Sequence, residues 1–388
     1  MNGADGKAGD PAQRRLRWLP AMAVGALGGG IAAAIGLPVP WLVGSLISGL
    51  ITSVYFGRRL SVPGRLLAAA QITIGLTVGL SFSVDTIANV GRAFPAVALV
   101  LSATTAASLA NGYLLSRWTE ISRASGLLGS IPGAASAMVA AADKVGADAR
   151  TVAVLQYVRL LFILIVVPPL LAAWTHYAGF AHAAAAGAGG ATAALSAPGA
   201  PGTLAPETAR VPWAIVIPGL AALGVAGAAI GERLSFPSPY VLGPMVLAVS
   251  VGLILPDLVA AGFSVPPPLF ASALLVIGTS VGLRFDKDVL GTLKRAVAIY
   301  LLLLVALLAV SALLAYLLHL VAGIDLATAV MGNIPGALEG MVGVSMDLGA
   351  NAAVVAAMQT MRSVGLLCVG PWIVRGLQKV AEAGRRTA

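Results

Sequence analysis

The sequence predicts an all-α membrane protein with two inverted-topology repeats, each of about five transmembrane helices plus one re-entrant or broken Pro-Gly segment. Of the 388 residues, 59% are hydrophobic and only 10% are charged, which is far more apolar than a soluble domain. Several apolar stretches approach the ~20 residues that a helix needs to cross a bilayer. An internal duplication, described below, divides these stretches into two equivalent sets.

The first half of the chain contains five candidate spans and one shorter apolar segment, 126–142, which Pro132 and Gly133 interrupt. The scarcity of strict alternation between apolar and polar residues argues against an outer-membrane barrel. The spans are expected near 18–36, 39–56, 64–82, 94–115 and 151–174.

The second half repeats the first. Residues 129–168 align with residues 332–371 at a constant offset of 203, and 17 of the 40 aligned positions are identical. The same offset relates IGLTVGLSFSVD, at 74–85, to IGTSVGLRFDKD, at 277–288. Two apolar segments that are similar by chance would not keep one register over this length, so the chain is expected to consist of two homologous halves.

The duplication divides the chain into five parts. The part between the two repeats is rich in Ala, Gly and Pro, a composition that cannot build a packed core and is typical of a flexible linker. The parts are a cytoplasmic N-terminal tail, 1–17; membrane repeat 1, 18–174; the linker, 175–210; membrane repeat 2, 211–374; and a cytoplasmic C-terminal tail, 375–388.

The distribution of basic residues predicts the orientation of the repeats. Cytoplasmic loops collect Lys and Arg, and in the first half these residues cluster before span one, between spans two and three, and after span four. In the second half the complementary loops carry them. The two repeats are therefore expected to cross the membrane in opposite senses, with both termini in the cytoplasm.

The two Pro-Gly segments, GSIPGAASAM and GNIPGALEGM, are the first candidates for a functional site. A proline inside a helix costs ~3 kcal/mol or more, and interrupted segments at equivalent positions of inverted repeats point to the binding site of a transporter. The alternative is a packing kink, since Pro and Gly are common in transmembrane helices. The residues predicted to bind substrate are Ser130, Pro132, Gly133, Gln156, Arg159, Asn333, Pro335, Gly336, Gln359 and Arg362.

Arg159 and Arg362 lie deep in predicted spans, each three residues after a glutamine on the same helix face. An unpaired arginine at this depth costs at least ~3 kcal/mol, so both should face the protein interior and find partners. Two interpretations carry equal weight. The arginines could hold an anionic substrate, or they could tether the Pro-Gly segment to the last helix through a carboxylate or backbone carbonyl groups.

Glu339 is the only carboxylate inside a predicted membrane segment, and its repeat equivalent is Ser136. This asymmetry favours a role for Glu339 in coupling transport to a proton or cation. Ser130 and Asn333 precede the two breaks and could instead be plain helix caps. Glycines four residues apart, at 75 and 79 and again at 278 and 282, predict close contact between helices.

The repeated G-x-I-P-G-A motif, followed by Q-x-x-R and by V-P-P or V-G-P, resembles the AbrB-type membrane proteins of Gram-negative bacteria. The resemblance covers nearly all of residues 18–374, and the paired motifs make it fairly specific. It implies a multi-pass inner-membrane protein, and it associates the chain with regulation of gene expression through family labels such as transcriptional regulator and ammonia monooxygenase. It supplies no catalytic residues.

Neither label is expected in its literal sense. No basic stretch is interleaved with aromatics, so nucleic acid is not an expected partner. A monooxygenase needs clustered metal ligands, whereas His176 and His182 lie in the linker and His319 at a remote helix end. We therefore expect no enzyme activity, no cofactor and no metal.

The sequence thus favours a secondary transporter of a small, conceivably anionic solute or ion, bound between the repeats. The alternative is a membrane sensor that regulates gene expression through a soluble partner. The lipid bilayer is the expected environment, and assembly into a homo-oligomer is compatible with the sequence.

Overall fold

The computed structural model describes most of the chain and is helical throughout the described residues. These are 18–37, 39–56, 62–132, 138, 142, 145–177, 211–236, 238–284, 294–336 and 338–366. Within repeat 1 the helices are α1 (Trp18–Ala34), α2 (Pro40–Phe56), α3 (Gly64–Leu80), α4 (Val84–Trp118), α5 (Arg123–Ser130) and α6 (Ala149–Tyr177).

The helices of repeat 2 follow in the same order, with one additional short helix, α9. They are α7 (Trp213–Arg233), α8 (Pro239–Ile254), α9 (Pro256–Ala260), α10 (Pro267–Gly282), α11 (Lys294–Ala322), α12 (Leu326–Asn333), α13 (Leu338–Asp347) and a last helix, α14, described over 352–366. The predicted tails, most of the linker, Gly133 and the side chain of Glu339 lie outside the described residues.

Among the described residues, four helices are long and apolar enough to cross a membrane. They are α7, α11 and the segments Val90–Trp118 of α4 and Ala149–Trp174 of α6. Five further apolar helices are shorter; a helix of 17 residues is about 25 Å long. The long helices expose large apolar side chains, such as Leu302 at 67% and Val321 at 76%. These features are compatible with a membrane protein, whose lipid-facing surface is apolar.

Helix α4 begins ten residues before the span expected at 94–115. The side chain of Ser83 accepts a hydrogen bond from the N–H of Thr86 at 3.1 Å and so starts the helix, while Pro95 lies inside it. The serine cap thus sets the start of the helix upstream of the predicted span.

The ends of α1 and α7 have the same geometry. Gly36 and Ser235 both adopt positive φ, of 70° and 54°. The following residues then return a hydrogen bond to the helix, from Leu37 N–H to Ala32 C=O and from Phe236 N–H to Gly231 C=O, both at 2.9 Å.

Local hydrogen bonds also recur at the offset of 203 residues. The N–H of Asp148 donates to the hydroxyl of Ser125 at 2.9 Å, and the N–H of Asn351 donates to the hydroxyl of Thr328 at 2.8 Å. Asp148 and Asn351 in turn accept bonds from the N–H groups three residues later, which caps α6 and α14. The duplication in the sequence is thus accompanied by equivalent local structure.

Six helices form what we call the scaffold group: α1, α2, α3, α7, α8 and α10. Helices α1 and α2 of repeat 1 pack against α10 of repeat 2, whereas α7 and α8 of repeat 2 pack against α3 of repeat 1. Helices α3 and α10 also contact each other and join the two triplets. Each repeat therefore contributes its third helix to the other repeat's triplet.

Glycines allow these helices to approach closely, as the sequence predicts. A Cβ atom at Gly75 would overlap the backbone carbonyl of Val241, and one at Gly278 would overlap the carbonyl of Leu42. Helices at such contacts approach until their backbones touch, because no side chain intervenes.

The remaining helices form what we call the break group: α4, α5, α6, α11, α12, α13 and α14. Helices α4 and α11 pack against each other, α5 packs against α4 and α6, and α12 packs against α11. Helix α13 contacts α3 and α10 of the scaffold group. At this junction the carboxylate of Asp347 accepts a hydrogen bond from the N–H of Val39 at 2.6 Å.

Candidate functional site

The Pro-Gly motifs break the helices because of the residue that precedes each proline. Ile131 has φ −63° and ψ 123°, and Ile334 has φ −61° and ψ 131°. A proline ring forces the preceding residue out of the helical region into this extended conformation. Helices α5 and α12 therefore end at Ser130 and Asn333, and in repeat 2 the helix resumes as α13 beyond Gly336.

Each proline also removes a hydrogen-bond donor. In an uninterrupted helix, the N–H of residue 132 would donate to the carbonyl of Leu128, and that of residue 335 to the carbonyl of Met331. The side-chain amide of Gln156 donates to Leu128 C=O at 2.8 Å instead, and that of Gln359 donates to Met331 C=O at 3.1 Å. The glutamine side chains thus replace the N–H groups that the prolines lack.

Arg159 and Arg362 bind the next carbonyls along each break. Nη1 of Arg159 donates to the carbonyls of Ser130 and Ile131 at 3.1 and 3.0 Å. Nη1 of Arg362 donates to the carbonyls of Asn333 and Ile334, both at 3.2 Å. In each repeat Nη2 donates to the amide oxygen of the glutamine three residues earlier. The two arrangements are equivalent bond for bond.

These contacts are buried and electrostatically favourable. The exposed fractions of Gln156, Arg159, Gln359 and Arg362 are 1%, 5%, 2% and 5%, so the arginines face the interior as predicted. The C-terminus of a helix carries a partial negative charge and unpaired carbonyl groups, which a cation satisfies. The tether to backbone carbonyls, one of the two interpretations of the arginines, is therefore present in both repeats.

The two guanidinium groups lie near enough to each other for mutual electrostatic repulsion. Together they carry a charge of roughly +2, and the two helix C-termini offset roughly 0.5 of a charge each, which leaves about +1. Among the described side chains, no carboxylate forms an ion pair with either arginine. Counted over the described side chains alone, the buried charge at the two breaks is thus net positive.

Ser130 and Asn333 occupy equivalent positions but have different surroundings. The amide oxygen of Asn333 accepts from the hydroxyl of Thr104 at 2.7 Å, and its amide nitrogen donates to the carbonyl of Ser311 at 2.8 Å. Asn333 therefore links its break to both α4 and α11. The hydroxyl of Ser130 is buried and has no hydrogen-bond partner. Each is the last residue of its half-helix, followed by Ile131 and Ile334 as the capping positions, so the alternative that they are plain helix caps does not describe either residue.

Among the other predicted site residues, Pro132 and Pro335 are buried at the breaks and Gly336 is half-buried. The N–H of Gly336 donates to the carbonyl of Ile334 at 2.8 Å, which forms a tight turn between α12 and α13. Gly133 lies outside the described residues, and the side chain of Glu339 lies outside the described side chains, so both stay predicted site residues.

Sequence reasoning did not identify Tyr300, Thr104 or Ser311. Tyr300 is 1% exposed on α11, and its hydroxyl lies close to the side chains of both Arg159 and Ser130. A lone tyrosine or threonine in an apolar helix carries no motif. A polar residue within a long apolar stretch is the available signal, because its burial requires a polar neighbour.

Comparison with known protein families identifies relatives that match nearly the whole chain. The family model described as "Transition state regulatory protein AbrB" matches residues 6–378. A protein of Escherichia coli (strain K12) named "Putative regulator AbrB" is 30% identical over 348 residues, which cover 90% of this chain and 92% of that protein. The "Uncharacterized protein YhjN" of Bacillus subtilis (strain 168) is 26% identical over 364 residues, 90% of each chain. The family match spans almost the whole sequence, both repeats and both breaks included, and the chain therefore belongs to the AbrB family.

Proposed function

We propose that this protein is a secondary transporter of a small anionic solute, with the substrate site where the two broken segments meet. The observation that supports this proposal most directly is the pair of buried arginines at equivalent helix breaks. Non-helical backbone at membrane depth is tolerated where it is buried in protein or lines a cavity, and in carriers such backbone forms the substrate site.

The charge at the breaks favours an anion. A buried charge without a counter-ion is costly, and the helix C-termini offset only about half of the charge of the two arginines. A monoanionic solute would neutralise the remainder. The arginine Nη groups already bind backbone carbonyls, so the solute would be held near the guanidinium groups by charge and by donors other than Nη.

The transport cycle that we infer is a movement of the break group against the scaffold group. The scaffold helices interlock at glycine contacts, which suits a rigid unit, whereas the break group meets them chiefly through α13 and α6. Inverted repeats would allow the site to open to either side of the membrane. If each repeat adopts the conformation of the other, the site changes from facing one side to facing the opposite side. Glu339, in α13, remains our candidate for coupling to a proton or cation.

The second candidate is a membrane sensor that controls gene expression through a soluble partner. The word regulator in the names of the family and of the E. coli relative favours it. In either case we place the chain in the bacterial inner membrane, with both termini in the cytoplasm and with self-association into a homo-oligomer left open.

Flux through proteoliposomes tests the transporter. A panel of small carboxylates and inorganic anions would be offered to liposomes that contain the full chain or its Arg159→Ala, Arg362→Ala or Glu339→Gln variant. We expect saturable flux for at least one anion, lost in the arginine variants and uncoupled from the ion gradient in Glu339→Gln. Unchanged flux in all three variants would remove these residues from the site.

Thiol labelling tests the inverted layout. In a Cys368→Ser background, single cysteines replace Arg123, the exposed first residue of α5, or Leu326, the half-buried first residue of α12. We expect a membrane-impermeant reagent to label the two from opposite sides of the bilayer. Labelling from the same side would contradict the inversion and with it the proposed cycle.

A further inference from the structure

Three polar atoms next to the first break are buried and lack a hydrogen-bond partner: Oγ of Ser130, Nε of Arg159 and the hydroxyl of Tyr300. The three residues are 2%, 5% and 1% exposed. A buried donor without a partner costs free energy, and a well-folded protein rarely leaves several of them together. Their clustering therefore needs a physical reason.

The three groups lie together. Arg159 binds the carbonyl of Ser130 through Nη1, and Tyr300 belongs to the same apolar cluster as Leu155 and Val158 of α6. The hydroxyl of Tyr300 also lies close enough to the side chains of Arg159 and Ser130 for weak hydrogen bonding, although none of the three atoms completes a hydrogen bond of normal geometry. All three can donate a hydrogen, and one of them carries a positive charge.

The second break has no such set of donors. At the position of Ser130 it carries Asn333, whose amide is bound on both sides by Thr104 and Ser311. At the offset of 203 residues, the equivalent of Tyr300 is Val97. Among the described residues, the second break thus keeps the unpartnered hydroxyl of Ser311, whereas the first break has three unpartnered donors close together.

We propose that Ser130, Arg159 and Tyr300 form the binding site for the carboxylate group of a monoanionic solute. This inference rests on the proposed transport function and assigns the substrate class and the residues of contact. A carboxylate has about four acceptor positions, enough for three donors, whereas one water molecule accepts only two hydrogen bonds. The charged N–H strengthens the binding, because hydrogen bonds between ionised partners are about twice as strong as neutral ones.

An open pocket of about 800 Å³ lies further along the same three helices. Ser125, Thr151 and Ala296 line it, and they precede Ser130, Arg159 and Tyr300 by five, eight and four residues on the same three helices. At 1.5 Å per residue, the donors lie about 6 to 12 Å below the pocket along the helix axes. Arg117 and Arg295 line the pocket together with Glu120 and Asp148, so its lining carries charges of both signs.

Leu155 is the barrier between the pocket and the donors. It lies four residues after Thr151 and four before Arg159, so the three share one face of α6. Leu155 is fully buried, and a Cβ atom at Gly129 would overlap its side chain, so it fills the space against α5. A shift of this side chain would connect the pocket with the donors.

Equilibrium binding to the purified full chain in detergent tests the site without any transport step. The probe is sodium acetate, compared with sodium chloride and sodium sulfate at equal ionic strength, and the readout is the midpoint of thermal unfolding, which a ligand of the folded state raises. We expect a saturable rise with acetate. Tyr300→Phe and Ser130→Ala, which each remove one hydroxyl, should weaken the apparent affinity about tenfold, which corresponds to 1.4 kcal/mol.

Ser311→Ala is the matched control, because it also removes a buried, unpartnered serine hydroxyl, but at the second break. It should leave the acetate affinity unchanged. Leu155→Ala should speed the modification of a cysteine at position 130 in the Cys368→Ser background. No saturable effect of acetate, or equal loss in Ser311→Ala, would overturn the site. Flux that survives in Tyr300→Phe while acetate binding is absent would overturn this assignment and leave the transporter standing.

Discussion

The replacement of a proline's missing N–H by a glutamine side chain makes a quantitative prediction for the second break. In Gln359→Met, the carbonyl of Met331 loses its donor, because residue 335 is a proline, and Nη2 of Arg362 loses its acceptor. The carbonyl of Ile334 keeps its bond from Arg362 at 3.2 Å. Two buried polar groups are thus left unpaired, and each costs about 1–3 kcal/mol.

We therefore expect Gln359→Met to lower the free energy of unfolding by about 2–6 kcal/mol. The decisive variant is the double mutant with Pro335→Ala. An alanine restores an N–H four residues after Met331 and lifts the restriction on Ile334, so the helix can satisfy the carbonyl itself. The double mutant should be more stable than the sum of the single effects predicts, by about 1–3 kcal/mol.

Unfolding in mixed detergent micelles, followed by loss of helical circular dichroism, measures these free energies. The control is Leu160→Met, a volume-conserving change on the partly buried side of α6 that should cost less than about 1.5 kcal/mol. Strict additivity of Gln359→Met and Pro335→Ala would refute the argument, since it would mean that the amide and the missing N–H serve different carbonyls.

Two further predictions concern stability outside the breaks. Gly75→Ala should destabilise the protein by about 1–3 kcal/mol, because the added Cβ would overlap the backbone of Val241. In Gly30→Ala the added Cβ meets no neighbouring atom, so this variant should be more stable by up to about 1 kcal/mol. Unfolding measurements on both variants check this, and the reverse order of stability would contradict it. The side-chain hydrogen bond from Thr151 holds the pKa of Asp148 below its usual value. The ionised carboxylate therefore stabilises the folded protein above the unfolded pKa of ~3.9, and this stabilisation is lost as the pH falls through the lower pKa of the folded state. Asp148→Ala should cost about 1 kcal/mol at neutral pH, and a cost that persists unchanged in strong acid would contradict this account.

The sequence is most informative where one residue type has one physical effect. Pro132 and Pro335 locate both helix breaks, and the three-residue spacing of glutamine and arginine places both side chains on one face of the helix. The apolar surroundings of Arg159 and Arg362 predict that both are buried. The close approach of helices at Gly75 and Gly278 is likewise predicted and is confirmed.

The sequence cannot supply the contacts that depend on how distant helices are aligned. Thr104 meets Asn333 across 229 positions of the chain, and Asn111 donates to the carbonyl of Leu303 across 192. A shift of α4 by one turn against α11 and α12 would remove both bonds without any change in local pattern. For the same reason the sequence does not reveal Tyr300, whose neighbours come from α5 and α6. The role of Glu339 stays a prediction.

The exchange of third helices between the triplets has a consequence for how the protein is made. Helix α3 is complete at residue 80, but its partner α8 begins only at residue 239. At 5–20 residues per second, synthesis leaves the glycine surface of α3 uncovered for on the order of ten seconds or more. The first half cannot complete either triplet during its own translation, because each triplet also needs helices of the second half. A nascent chain truncated in the linker should therefore be held by chaperones or degraded, and separately expressed halves should accumulate only together.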